Sequence, residues 1–137
     1  MAYVDELKEL LKYFEEFRKT LSSTKNEWST ISEQKNTENA KKFKEKMGFM
    51  KNELMDKMPS IEKIKVQMLQ YSKFLKYKDR LDDLSVNISI LATKYGIASN
   101  NSPDQIIKSM PIPQFEQLEN NTKNIITIIK EIIKVST

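Results

Sequence analysis

Lys41, Lys42, Lys44, Lys46 and Lys51, followed by Lys73, Lys76, Lys78 and Arg80, are the residues whose types and spacing most suggest a chemical task. Ammonium and guanidinium groups neutralise backbone phosphates and release their counterions, a contribution that does not depend on base sequence. Residues 41–80 hold twelve basic and five acidic side chains, a net of +7, whereas residues 1–40 carry −2 and residues 81–137 carry −1. Only Arg18 and Arg80 are arginines. Bidentate reading of base edges is therefore not expected, and any contact with DNA or RNA should be to the backbone. The competing reading is a set of solvated helix faces, which lysines commonly provide, and it is the one we favour.

Three other groupings invite the same comparison. Tyr71, Phe74 and Tyr77 alternate with the cations at i, i+3, i+6 and could stack single-stranded bases. They also continue an apolar seam, so burial is the expected role. Met47, Met50, Met55, Met58 and Met68 could line an adaptable groove, but filling an irregular core explains them as well. Glu15-Glu16 and Asp82-Asp83 are adjacent acids. Neighbours on a helix point about 100° apart, so neither pair makes a carboxylate dyad, and solvated charges or partners for nearby lysines are expected.

The chain has no His and no Cys, which removes the commonest general base, the commonest metal ligand and the thiolate nucleophile. Gly48 and Gly96 are the two glycines, too few and too far apart for a phosphate-cradling loop. We expect no catalytic residues, no metal and no cofactor.

These side chains must be carried by helices. From about residue 3 to 33, Val4, Leu7, Leu11, Phe14, Leu21 and Trp28 fall on heptad seam positions, widened by Tyr3, Leu10, Phe17, Thr24 and Ile31. Residues 32–39, SEQKNTEN, contain almost no apolar group and predict a turn, with Thr37 as an N-cap. Ala40, Phe43, Met47, Met50 and Leu54 predict a second helix over about 38–57, ended by Pro59. A third seam reads Ile61, Ile64, Met68, Tyr71 and Leu75. It then slips by one residue to Phe74, Tyr77, Leu81, Leu84, Ile88, Leu91 and Tyr95. We read one long helix over about 61–95 with an irregularity near 74–78. It is similar in length to the first helix, which favours antiparallel packing of those two.

Gly96 predicts a left-handed stop and Ile97 a fold-back. Ser102-Pro103-Asp104-Gln105 has the pattern of a capping box with proline at the first helical position, so a short helix should lie near 103–109. Pro111 should stop it, and Pro113 should keep the connector extended. The last helix, about 114–134, carries Phe115, Leu118, Thr122, Ile125, Ile129 and Ile132 on its seam. The fold class is all-α: an antiparallel, coiled-coil-like bundle of four main helices plus one short one, in a single domain 1–137 with a hinge or linker at 97–103.

No stretch approaches the ~20 apolar residues of a membrane span. The start, MAYVDELKE, lacks the basic residues and apolar run of a secretory signal, so an intracellular, cytoplasmic protein is expected. The broad stripes exceed what one small monomer easily covers. The expected function is therefore non-enzymatic: an interaction or assembly subunit that self-associates into a homo-oligomer or packs on other protein subunits. The alternative is a sequence-nonspecific nucleic-acid-binding subunit of a nucleoprotein complex that uses the basic 41–80 region.

Overall fold

A computed structural model describes residues 2–110 and 115–137. Nearly all of it is helical, with no strand among the described residues. The helices are α1 (Ala2–Gln34), α2 (Thr37–Asp56), α3 (Met58–Met68), a 3-10 helix (Ser72–Tyr77), α4 (Lys78–Asn100), α5 (Pro103–Lys108) and α6 (Phe115–Ser136). The expected stops at Pro111 and Pro113 lie outside the described residues.

Four long helices form a ring in the order α1, α6, α4, α2. Cross-helix pairings give their directions. Lys46 meets Glu27 and Tyr13 meets Glu53, so α2 runs against α1. Gly48 lies by Ser99 and Gly96 by Lys51, so α4 runs against α2. Arg80 meets Glu131 and Lys94 meets Gln117, so α6 runs against α4. Hence α1 and α4 are parallel and diagonally opposed, and the expected antiparallel contact between them does not occur. Each instead packs between the two helices of opposite direction, which is the arrangement of an up-down-up-down bundle.

The seams fill the centre. Leu7, Phe14, Phe43, Met47, Leu54, Ile61, Ile64, Leu84, Ile88, Leu91, Ile125, Ile129 and Ile132 are all buried in one continuous cluster. Phe17 and Tyr95 meet edge-on across the diagonal, with ring centroids 5.6 Å apart. At one end, α3 packs on α1 and α4, with Lys63 on Glu6 at 2.6 Å and Lys65 on Asp82 at 2.7 Å. At the other end, α5 is tied to α1: Trp28 Nε1 donates to the Ile106 carbonyl at 2.7 Å, and Ser32 Oγ to that of Ile107 at 2.8 Å.

Three local expectations change. The helix expected over 61–95 is divided, because a one-residue slip rotates the second seam by about 100° relative to the first. A straight helix cannot turn both seams to one core. The chain bends through 69–71 and a 3-10 turn, which buries Phe74 and lets α3 cross the bundle end. Gly96 is not a stop. It has no positive φ, and α4 continues to Asn100, so residues 97–100 of the expected hinge are helical. Ala98 is fully buried, and the core contact of that extra turn outweighs the ~1 kcal/mol helix penalty of glycine. Finally, the N-cap of α2 is Asn36, whose side chain accepts from the Asn39 N–H at 3.0 Å, with Thr37 as the first helical residue. The capping box at Ser102 and Gln105 forms as the sequence predicts.

Candidate functional site

The basic residues do not form one face. On α2, Lys41, Lys42, Lys44, Lys46 and Lys51 fan over about 220° of the helix circumference at 100° per residue. Lys42 and Lys46 turn toward the α1 side, Lys44 and Lys51 toward α4. Lys73, Lys76, Lys78 and Arg80 lie at the opposite end of the bundle. Ser99 marks the level of Gly48, so Arg80 sits roughly 28 Å further along α4 at 1.5 Å per residue.

Several of these cations already have acidic partners. Lys46 meets Glu27 at 2.8 Å, Lys41 meets Glu38 at 3.6 Å, and Lys78 meets Asp82 at 3.2 Å. Arg80 reaches Glu131 at 2.8 Å and Asp83 at 3.5 Å. Lys42, Lys44, Lys51, Lys73 and Lys76 have no ion pair among the described residues. Lys73 and Lys76 lie against Phe74 and Tyr77, with Nζ 4.9 and 5.5 Å from the ring centroids. Of the three aromatic residues considered for base stacking, Phe74 is buried and Tyr77 partly so, which leaves Tyr71 exposed. Met47, Met50 and Met68 are core residues, and Met55 is exposed.

The acids act as lysine partners. Asp82 bridges Lys65 and Lys78, and these hydrogen bonds hold its carboxyl below the usual carboxylate range. Lys65 is correspondingly raised, chiefly by its bond to Asp82. Glu15 and Glu16 pair with Lys130 and Lys19.

Two features stand out instead, an apolar helix face and a groove with an apolar floor and a charged rim. The first is the outer face of α4. Val86, Ile90 and Ile97 are 54%, 41% and 55% exposed. With Thr93 they span about 60° of the helix, centred about 170° from the mean direction of its buried residues. From residue 84 to 100 the exposed positions of α4 are Val86, Ile90, Thr93, Ile97 and Asn100, none of them charged. Lys94 flanks the stripe, donating to Gln117 at 3.4 Å, and Lys51 from α2 lays its stem over Gly96 on the other side. The signal was in the sequence: apolar residues four and seven apart, off the core seam, in a stretch whose one charge is Lys94.

The second is a groove between α1 and α2, the neighbouring pair that approach each other least in the ring. Tyr13, Glu16, Phe17, Thr20 and Ser23 line one wall, and Lys46, Phe49, Met50 and Glu53 the other, around a volume of about 360 Å³. Phe49 stands at its lip, 63% exposed. Polar ties close both ends: Tyr13 donates to Glu53 Oε1 at 3.1 Å, and Lys46 meets Glu27. Burial and the Glu53 carboxylate push the Tyr13 hydroxyl well above its ordinary range, so it stays a donor. Tyr71 and Leu75, expected on the third seam, are instead exposed with Val66 in a smaller patch at the α3 end, because the bend through 69–71 and the 3-10 turn take them off the core.

No helix among the described residues is long and apolar enough to cross a membrane. No protein-family model, curated protein or solved structure matches this chain.

Proposed function

We propose that the protein is a helical assembly subunit that self-associates through the outer face of α4. The observation that carries this reading is the uncharged stripe Val86–Ile90–Ile97, which lies opposite the core and leaves about half of each side chain uncovered in the monomer. A helix apolar on both sides is a buried helix, and here the second burial must come from another molecule. About 16 Å of helix separates Val86 from Ile97, three turns, enough for a helix-on-helix contact.

Sedimentation velocity across a concentration series tests this. The wild type should associate, and Ile90→Glu should stay monomeric with unchanged helicity. A wild type that remains monomeric up to roughly millimolar concentration would overturn the reading.

A grip on nucleic-acid phosphates is the weaker reading. It rests on the cations without ion pairs, which fall at two ends of the bundle. Reversing Lys42 and Lys44 to Glu, or Lys73 and Lys76, in an oligonucleotide anisotropy titration would locate such a grip. Unchanged affinity in both would reject it.

A further inference from the structure

We infer that the α4 stripe of one copy docks in the α1–α2 groove of the next, so that the protein assembles head to tail. This rests on the reading that α4's outer face mediates self-association, and it names the surface that receives it.

Shape, length and charge support the pairing. The stripe is convex, on a corner helix of the ring, and the groove is concave, between two helices that stand apart. Tyr13 and Glu27 mark the ends of the groove, about 21 Å apart along α1, against the stripe's ~16 Å. Thr20 and Ser23 are small, so a helix can approach closely beside the exposed Phe49, over a floor that includes the buried Phe17, as amphipathic helices do in helix-in-groove complexes. The groove rim carries Glu16, which meets Lys19 at 3.4 Å, Lys46, which is held by Glu27, and Glu53, which has no ion pair among the described residues. The stripe is flanked by Lys94 and Lys51, and no acid is exposed on α4 between residues 84 and 100. An incoming α4 therefore brings cations to the Glu53 carboxylate, which favours the register that seats them at the Tyr13 end of the groove.

The two surfaces face different ways. In a four-cornered ring the groove opens beside α1, while the stripe points away from α1, a difference of about 135°. Each copy can then use both surfaces at once. Such contacts are heterologous and build a ring or an open chain, not a two-fold dimer.

A mixing experiment separates the possibilities. Ile90→Glu destroys the stripe and keeps the groove; Phe49→Glu does the reverse. Both residues are exposed, so both variants should fold, as circular dichroism will verify. Expected by light scattering are wild-type species larger than dimers and monomers for each variant alone. An equimolar mixture should double the mass to a dimer and stop there. Failure of the mixture to dimerise would overturn the pairing. If Phe49→Glu alone associates like the wild type, the stripe works against another surface, such as a second stripe. The groove assignment then falls and the proposed function stands. If the wild type never associates, both fall.

Discussion

α4 and α6 lie side by side, are 23 and 22 residues long, and are both rich in aliphatic residues, yet they use them differently. On α6 the isoleucines Ile125, Ile126, Ile128, Ile129 and Ile132 are buried, and every exposed position is polar, from Glu116 to Lys134. On α4 the inner face carries Leu81, Leu84, Ile88, Leu91 and Tyr95, and the outer face carries a second apolar row. The folding of one chain accounts for all of α6 and for half of α4. Apolar content alone thus says nothing about where an interface lies. The informative quantity is apolar surface that the monomer has no use for.

This contrast can be broken most directly by cutting one isoleucine from each helix. Ile129→Ala on α6 should leave a cavity in a close-packed core and cost about 2–5 kcal/mol in chemical denaturation. Ile90→Ala on α4 should change monomer stability by less than ~0.5 kcal/mol. Similar losses at the two sites, measured at a concentration where the chain is monomeric, would erase the distinction.

A smaller effect tests the inner face of α4. The Tyr95 hydroxyl is buried and finds no hydrogen-bond partner among the described residues. Burial pushes it above its ordinary range, which reflects the same lack of solvation. Tyr95→Phe keeps the ring contact with Phe17 and removes the unpaired group. It should stabilise the fold by about 1 kcal/mol, read as a raised midpoint in urea. A loss of stability would mean that the hydroxyl has a polar partner in solution.

The smallest effect is expected at the charged start of α4. The Asp82 carboxyl is depressed in the folded state by Lys65 and then Lys78, so below its unfolded value the unfolded chain binds the extra proton. Its contribution is present above pH ~4 and is lost as the pH falls through the folded value. Asp82→Asn should lower Tm slightly at neutral pH, and the gap to the wild type should close in acid. A gap that is constant from pH 7 to pH 2 would show that the ion pairs are not its source.

Much of this fold was legible in the residues. The heptad seams of α1, α2 and α6 and the Ser102 capping box fix those elements because local propensity, pattern and packing agree there. The slip at residues 69–77 was visible as a change of register, but no Pro or Gly marks it. A pattern gives the phase of a helix and not the direction in which the chain turns to restore it. Gly96 misled because a glycine stop is a local preference, and burial of Ala98 overrode it. The scatter of the lysines around α2 follows from their spacing at 100° per residue and was legible once the helix was placed. Their distance from Lys73–Arg80 depends on the direction and order of helices in the ring, which no seam encodes. The groove depends on the same order, since Phe17 and Phe49 belong to helices whose separation is set by their other neighbours.

The bond from Trp28 to the Ile106 carbonyl has an optical consequence. Trp28 is the chain's one tryptophan. Its indole sits where α5 is tied to α1, so its emission reports the docking of that end alone, whereas far-ultraviolet ellipticity averages over every helix. Divergence of the two signals during a thermal ramp would reveal fraying of the α5 end before the bundle melts, with no label attached.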